Sequence, residues 1–356
     1  MFSDTILSWF STHGRELPWR NTTDPYPIWL SEIILQQTRI IQGWEYWERF
    51  MRHYPTVDRL AAATEDEVLK LWQGLGYYSR ARNLHKAAQQ IVALGKFPDT
   101  LEGIKQLPGV GDYTAAAIGS FAFGIEAAVV DGNVYRVLAR YYGISTPINT
   151  TQGKKEFAAL AQSLLPHGKV AAYNQGIMDF GALQCTPQSP QCADCPLAIT
   201  CKAYRNGTVS ILPVKQKKLQ VKTRHLCYIY IRYRKTPTST PLVALHRRGE
   251  GDIWQGLWEP FNASLHEDAT TSISELLQQY QLPNLSLLVS GKKHVLTHRI
   301  LLADFYLAEV DTLPSLPSDY QWIEESKLQD YGVPRLIEQL FENIEHGSSN
   351  IISFRH

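Results

Sequence analysis

Apolar residues recur at helical spacing through the first part of the chain, up to about residue 205. Residues 28–54 keep this spacing and predict helix. A T-x-x-E capping box at Thr64–Glu67 precedes the apolar run VLKLW, and residues 79–94 predict a helix that ends before Gly95. Further helices are expected at residues 114–123, 133–142, 152–165 and 170–183. Strand-like alternation is not found in this part of the sequence, so the pattern predicts a mostly α-helical first domain.

The pattern changes near Pro213, after which several runs read as strands. HLCYIYIRY (225–233), PLVALHRR (241–248) and RILLADFYLAEV (299–310) predict strands, whereas SISELLQQY (272–280) and VPRLIEQLFENI (333–344) predict helices. Residues 213–224 carry five basic residues and no acidic one, which is typical of a linker that could also touch a phosphate backbone. We therefore expect a helical domain at 1–212, a basic linker at 213–224 and a second domain of mixed type at 225–356.

Length and charge set only broad limits on function. A chain of 356 residues is long enough for two domains. Its 35 Lys and Arg residues nearly balance 34 Asp and Glu residues, so any basic face for nucleic acid has to be local. No apolar run approaches the length of a membrane span. The first ten residues contain an acidic residue, Asp4, and no basic region, which argues against a signal peptide.

Four of the five cysteines lie close together in the pattern C-x6-C-x2-C-x5-C, formed by Cys185, Cys192, Cys195 and Cys201. This clustering argues for an intracellular metal site rather than a disulfide framework. Structural zinc usually uses two short knuckles separated by a longer spacer, whereas here one knuckle is flanked by single cysteines. The spacing favours an iron–sulfur cluster over zinc, which stays the alternative.

LPGVG, at residues 107–111, forms a glycine turn between two predicted helices. Gly109 and Gly111 allow a tight backbone whose N–H groups, with the positive end of the following helix, can bind a phosphate. An ordinary helix–helix turn is the alternative. Asp112 is expected to cap the following helix, and Tyr113 lies in its first turn.

Two carboxyl groups have environments that favour different protonation states. Asp131 follows an apolar pair and precedes a predicted helix, so backbone N–H groups and the helix dipole should favour its ionised form. Glu32 lies among Trp29, Leu30, Ile33 and other apolar residues, which should raise its pKa. Cleavage of a glycosidic bond requires one carboxylate and one carboxylic acid. The alternatives are a simple helix cap for Asp131 and a solvent-facing position for Glu32.

These motifs resemble the helix-hairpin-helix DNA glycosylases that carry an iron–sulfur cluster, and among them the MutY-type adenine DNA glycosylases. The resemblance covers the whole first domain, through LPWR (17–20), WLSEIILQQTR (29–39), GLGYYSRARNLHKAA (74–88), VDGNVYRVLAR (130–140) and NQGIMDFGALQC (174–185). It implies a multidomain protein. By this resemblance, an all-α helix-hairpin-helix glycosylase domain would hold a [4Fe-4S] cluster in the loop 185–201, and an α+β Nudix-like domain would follow.

The resemblance also implies roles for individual residues. Glu32 would protonate a flipped adenine at N7, and Asp131 would stabilise the positive sugar or attack it transiently. Tyr113 and Asn133 would position the nucleotide, the aspartate and the water. Arg20 and Trp19 would line the base pocket, and Gln175, also at this pocket, would orient Glu32 or the water. Gln37, Thr38 and Tyr77 would hold the opposite base and fill the gap, and Gly109 and Gly111 would seat a phosphate.

The second domain resembles the Nudix-like domain with which this family recognises 8-oxoguanine opposite the adenine. GDIWQGLWEPF (251–261) fits the Nudix fold, but the R-E-x-x-E-E run of magnesium ligands is absent, so pyrophosphatase activity is not expected. In the family a Phe-Ser-His loop reads the oxidised guanine. Here Leu296, Thr297 and His298 take those places, and Leu296 replaces the phenylalanine.

Two other functions compete with hydrolysis of adenine opposite 8-oxoguanine or guanine. One is a bifunctional glycosylase/lyase of the endonuclease III type that acts on oxidised pyrimidines, and the other is a DNA-binding protein without catalysis. A lyase of this kind needs an amine nucleophile, and the family's lyases carry a lysine where this chain has Tyr113. A protein without catalysis would have lost Glu32 or Asp131. We expect a monomer that binds duplex DNA, has no membrane partner and is located in the cytoplasm with the nucleoid.

Overall fold

The computed structural model describes residues 2–216, 222–263, 278–280, 282, 285–296, 299–345 and 352–353. The chain divides into two compact units, of which the first comprises Met1–Ala62 and Asn83–Lys218 and the second comprises Ala63–Arg82 and Leu219–His356. Within the described ranges, no helix combines the length and the apolar content needed to cross a bilayer.

The first unit is helical, as the spacing of its apolar residues predicts. Its helices are α1 (Phe2–His13), α2 (Pro25–Leu35), α3 (Ile40–His53), α4 (Val57–Ala62), most of α6 (Ser79–Leu94), α7 (Leu101–Lys105), α8 (Asp112–Phe123), α9 (Gly132–Tyr142), α10 (Thr151–Ser163), α11 (Val170–Leu183) and α12 (Lys202–Arg205). A core of buried residues including Ile6, Val134, Phe157 and Phe180 joins α1, α9, α10 and α11. Burial of this core holds the helices that carry the site.

One predicted helical stretch, residues 28–54, is two helices. The break between α2 and α3 contains Gln37, whose φ of 58° is in the left-handed region and cannot continue a helix. A Cβ on Gly43 would lie 2.6 Å from the Leu35 side chain, so α3 lies close to the end of α2. Apolar spacing continues through the break, and periodicity alone therefore does not reveal it.

Residues 63–82 belong to the second unit, which differs from the predicted first domain at 1–212. This segment contains α5 (Glu65–Trp72), which begins with the predicted capping box. Arg247 forms an ion pair with Glu65 at 2.9 Å, and Lys70 donates a hydrogen bond to the Tyr331 carbonyl at 3.3 Å. Residues 63–82 therefore contact residues of the second unit that are more than 180 positions away in sequence.

The second unit is built on a seven-stranded mixed sheet with the strand order β6-β2-β3-β1-β5-β4-β7. The strands are β1 (Lys222–Tyr233), β2 (Leu242–Arg247), β3 (Trp258–Asn262), β4 (Ser286–Val295), β5 (Arg299–Val310), β6 (Tyr320–Glu324) and β7 (Ile352–Ser353), and helix α13 is Arg335–Glu345. β1 and β5 pair in parallel over twelve residues, whereas the other pairs are antiparallel.

The predicted strands and the predicted last helix are confirmed as β1, β2, β5 and α13. Strands β3, β4, β6 and β7 were not predicted. The helix predicted at 272–280 lies mostly outside the described residues.

Candidate active site

Helix α2 buries Glu32 in the first unit. Asp24 caps this helix by accepting a hydrogen bond from the Tyr26 N–H at 3.0 Å, and every residue from Tyr26 to Ile34 is buried. Because α2 is covered on all sides, Glu32 is only 7% exposed. The expectation of apolar surroundings for Glu32 is confirmed, and the alternative of a solvent-facing position is wrong.

Tyr113 contacts the Glu32 carboxyl directly. Its hydroxyl donates a hydrogen bond to Glu32 Oε2 at 3.0 Å, and Gln36 Nε2 donates to Thr114 Oγ1 at 3.1 Å, which ties the end of α2 to α8. Burial raises the pKa of Glu32 to about 7, against the opposing effects of the Tyr113 hydrogen bond and the Arg20 charge. Near neutral pH the carboxyl group therefore exists in comparable amounts as acid and as carboxylate.

Glu32 lies in the wall of a cavity in the first unit. The cavity is lined by polar and apolar side chains from four parts of this unit: Arg15, Leu17, Trp19, Arg20, Ile28, Glu32, Leu35, Ile40, Phe121, Gln175 and Met178. The structure brings together four residues named from the sequence, Glu32, Arg20, Trp19 and Gln175. Sequence reasoning missed Arg15, which precedes the LPWR motif by only two residues and is the second basic side chain of the wall.

Asp131 is the N-cap of α9. Its Oδ1 accepts hydrogen bonds from the N–H groups of Asn133 and Val134, both at 2.8 Å, and its Oδ2 accepts from Asn133 Nδ2 at 2.7 Å. These bonds lower the pKa as expected, but burial has the larger effect and the pKa of Asp131 is raised. The expectation from the sequence, that the surroundings of Asp131 favour its ionised form, did not take burial into account. The charge of Asp131 also raises the pKa of Glu32, which shows that the two carboxyl groups interact.

Arg136 connects Asn133 to the end of helix α11. Arg136 Nη2 donates to Asn133 Oδ1 at 2.8 Å and to the Gly181 carbonyl at 2.6 Å, while its Nε donates to the Cys185 carbonyl at 2.6 Å. A Cβ on Gly181 would lie 2.6 Å from the Asn133 Cβ, so α11 approaches this side chain closely. The amide of Asn133 is thus held with its nitrogen toward Asp131.

The four cysteines named from the sequence line a second cavity in the first unit. Its wall also contains Arg140 and apolar residues such as Phe180 and Leu197. Burial raises the pKa of Cys192 and Cys195, that of Cys195 to about 11, and the neighbouring thiols raise both further. Arg140 donates hydrogen bonds to Cys185 Sγ at 3.4 Å and to the carbonyls of Thr186 and Pro187 at 2.7 and 3.1 Å.

The four thiols have the donor chemistry of a metal centre. Within the described ranges, no group of three or more His, Cys, Asp or Glu side chains is arranged to hold a metal ion. A zinc ion would draw four sulfurs to about 2.3 Å from one point, whereas an iron–sulfur cluster is ligated at separate irons. Four cysteines around one cavity with a neighbouring cation fit the donor set of such a cluster.

The glycine turn before α8 has the expected backbone. Gly109 has a φ of 79°, and a Cβ there would lie 2.9 Å from the Asn83 Cβ. The N-cap is Gly111, and Asp112 is the first helical residue, so the prediction that Asp112 caps α8 is wrong. Asp112 instead forms an ion pair with Lys105 at 2.8 Å, and the first turn of α8 is left without a side-chain cap. This arrangement suits an external anion.

The residues named for DNA contact beyond this turn lie on two loops, one in each unit. Gln37 and Thr38 occupy the break between α2 and α3, in the first unit. Tyr77 belongs to the second unit, has a φ of 49° and is 46% exposed. Arg80 lies over the Tyr77 ring, 5.5 Å from its centroid. An exposed ring on a left-handed residue is suited to insertion between bases.

The loop named for 8-oxoguanine contact lies between β4 and β5. The Leu296 N–H donates a hydrogen bond to the Arg299 carbonyl at 2.8 Å, and Leu296 packs against a core of the second unit that includes Trp258 and Phe305. The other two named residues, Thr297 and His298, lie outside the described residues. Leu296, which stands where the family has a phenylalanine, therefore has apolar contact with this core.

Comparison with known proteins decides the family. Residues 30–167 match the model of the HhH-GPD superfamily base excision DNA repair proteins, and residues 238–343 match a NUDIX domain model. The adenine DNA glycosylase of Buchnera aphidicola subsp. Acyrthosiphon pisum is 31% identical over 97% of this chain and 98% of its own length. That of Mus musculus is 32% identical over 97% of this chain and 78% of its own length. The chain belongs to the adenine DNA glycosylase family.

Two solved structures share the fold over 58% of this chain. A thermostable thymine-DNA glycosylase is 36% identical, has a TM-score of 0.54 and covers 58% of this chain and 95% of its own. Endonuclease III in a non-covalent DNA complex has a TM-score of 0.51 at 24% identity, again over 58% of this chain and 94% of its own, and shows the fold alone. Members of this family are DNA glycosylases, and the helical unit with its following Nudix-like sheet has their architecture.

Proposed function

We propose that the protein is a monofunctional adenine DNA glycosylase of base excision repair, which hydrolyses the N-glycosidic bond of adenine mispaired with 8-oxoguanine or guanine. The observation that carries this proposal is the hydrogen bond from Tyr113 to the buried Glu32 at the cavity wall. This hydrogen bond joins the acid, Glu32, to the phenol of Tyr113. A lyase would need an amine at the position of Tyr113. The choice of adenine as the released base rests on the family, whose members are named adenine DNA glycosylases.

Glu32 is the proton donor in this proposal. Its pKa of about 7 keeps a substantial fraction protonated at neutral pH, where an ordinary glutamate would have lost its proton. Transfer of this proton to N7 of a flipped adenine makes the base a neutral leaving group. Trp19, Arg20 and Gln175 would surround the base in the same cavity, and the Tyr113 hydroxyl would keep the carboxyl oriented.

Asp131 stabilises the sugar after the base departs. Its carboxylate form would face the positive charge that develops on the deoxyribose, either as a counter-charge or as a transient nucleophile. Asn133 holds one oxygen of this carboxylate at 2.7 Å, which supports its role as a positioning residue. Water then completes the hydrolysis, and the abasic strand stays intact because Tyr113 offers no amine.

The four cysteines would hold a [4Fe-4S] cluster through their thiolates. Ligation by all four would tie the end of α11 and the loop 185–201 to the start of α12. The purified protein is then expected to be yellow-brown with a broad visible absorption band. A colourless protein with stoichiometric zinc would contradict this assignment.

Duplex DNA is bound by both units in this proposal. Gly109 and Gly111 would seat a phosphate, Gln37 and Thr38 would contact the opposite base, and Tyr77 would fill the gap left by the flipped adenine. Thr297 and His298 of the Nudix-like domain would read 8-oxoguanine. We further propose a monomer that is located in the cytoplasm with the nucleoid, where its substrate lies.

A panel of three duplexes tests the proposed reaction. The duplexes hold adenine opposite 8-oxoguanine, adenine opposite guanine, or thymine glycol, and strand breaks are scored with and without alkali. We expect breaks in the first two duplexes only, and only after alkali. Breaks without alkali, or in the thymine glycol duplex, would support the endonuclease III-like lyase instead.

A further inference from the structure

Asp179 is a buried carboxylate that holds two arginines next to the cavity of Glu32. It lies on α11, its side chain is fully buried, and the proposed chemistry does not use it. Asp179 Oδ1 accepts hydrogen bonds from Arg15 Nε at 2.9 Å, from Arg20 Nη2 at 2.8 Å and from Arg15 Nη2. Asp179 Oδ2 accepts from Arg20 Nη1 at 2.8 Å and from the Arg15 backbone N–H at 2.9 Å.

Both arginines belong to the wall that contains Glu32. Arg15 and Arg20 line the same cavity as Glu32 and Gln175. Arg20 Nη1 also donates to the Arg15 carbonyl at 3.0 Å, and its guanidinium lies over the Phe10 ring, 5.6 Å from the centroid. An arginine side chain in water samples many rotamers, whereas a bidentate carboxylate fixes its plane and position. Asp179 therefore decides where two positive charges lie in the wall.

The net charge of this group is as important as its geometry. Two guanidinium groups and one carboxylate sum to a single positive charge beside a buried acid. Removal of the carboxylate would leave two positive charges in a site of low dielectric, where charges interact much more strongly than in water. The effect would reach Glu32, since the Arg20 charge already lowers the pKa of that carboxyl group.

We propose that Asp179 is a positioning residue for base excision, which fixes Arg15 and Arg20 at the wall of the adenine cavity and limits the positive charge beside Glu32. This inference rests on the proposed function. The ionisable groups around Glu32 are Arg15 and Arg20 from the segment before α2, Tyr113 from α8 and Asp131 at the start of α9. Asp179 on α11 acts on Glu32 through the two arginines. Burial raises the pKa of Asp179, but the hydrogen bonds and charges of both arginines outweigh it and lower the pKa, so Asp179 is itself ionised.

The pH dependence of the reaction tests this assignment. Asp179→Asn keeps the shape of the side chain and removes its charge, so the uncompensated guanidinium groups favour the carboxylate of Glu32. We expect the pH at which the single-turnover rate falls on the alkaline side to move down by about one unit. Arg15→Gln leaves Asp179 paired with one arginine only. In this variant the pH at which the rate falls on the alkaline side should move up. A residue with a purely structural role would lower the rate equally at every pH.

A direct titration of Glu32 separates this inference from the proposed function. Infrared difference spectra, with Glu32→Gln as the reference, follow the protonated carboxyl band without any DNA. A downward shift of the Glu32 titration in Asp179→Asn and an upward shift in Arg15→Gln support the inference, even in a protein that releases no adenine. If Asp179→Asn does not fold, Arg15→Gln decides alone. If Glu32 titrates at the same pH in the folded variants as in the wild-type protein, the inference is overturned.

Discussion

The pH dependence of base release follows from the burial of Glu32. With a pKa of about 7, this acid is about nine tenths protonated at pH 6 and about one tenth protonated at pH 8. If its proton is transferred in the rate-limiting step, the single-turnover rate should be nearly flat below pH 6 and should fall about tenfold between pH 6 and pH 8. An ordinary glutamate would instead lose about tenfold per pH unit over the whole interval, or about a hundredfold.

Tyr113→Phe is the matched variant for this measurement. The Tyr113 hydroxyl stabilises the carboxylate of Glu32 at 3.0 Å and thereby lowers its pKa. Removal of the hydroxyl should raise the pKa, so the alkaline limb should move to higher pH while the plateau rate drops. The rates are measured with enzyme in excess over a duplex that holds adenine opposite 8-oxoguanine. A uniform tenfold loss per pH unit from pH 5 to pH 8 would refute the raised pKa, and an unshifted limb in Tyr113→Phe would refute the role of the hydrogen bond.

Three further changes test other parts of the site. Gly109→Ala should weaken duplex binding at least about tenfold in a gel-shift titration, because φ of 79° strains any side chain and the new Cβ clashes with a neighbouring asparagine; unchanged binding would exclude this turn as the phosphate seat. Arg136→Gln should lower the thermal midpoint and the base-release rate with little change in DNA affinity, because Asn133 and three carbonyls lose a charged donor; a full rate would show that Asn133 holds its orientation without Arg136. Tyr113→Lys should gain borohydride-trappable lyase activity, since an amine then lies near Asp131; the absence of a trapped adduct would show that this position alone does not select hydrolysis.

Local sequence patterns predict much of the helical unit. Residues 79–94 and 170–183 form helices with the predicted bounds, because their ends coincide with glycine, proline or a change in spacing. The break at Gln37 was missed, since only its backbone departs from helix while the apolar spacing continues. In the second unit, β5 is predicted to the residue. Strand β4 is not, because register shifts and a left-handed Gly291 interrupt its alternation.

The site is predictable only where neighbours in sequence set the environment. The apolar run of α2 reveals the burial of Glu32, and the apolar residues before Asp131 place it at a helix start. The ion pairs of Asp179 with Arg15 and Arg20 join residues about 160 positions apart, and no pattern along the chain indicates them. The assignment of residues 63–82 to the second unit is likewise not predictable from local sequence, because their partners lie beyond residue 240.

Free adenine is the product that tests the central claim most directly. The wild-type protein is incubated with a duplex that holds one adenine opposite 8-oxoguanine, and the small-molecule and strand products are quantified by mass spectrometry. We predict one adenine released per abasic strand, with that strand uncut, and no adenine from Glu32→Gln or Asp131→Asn at the same enzyme concentration. Release of a different base, a strand already cleaved at the site, or full release by either variant would contradict the account.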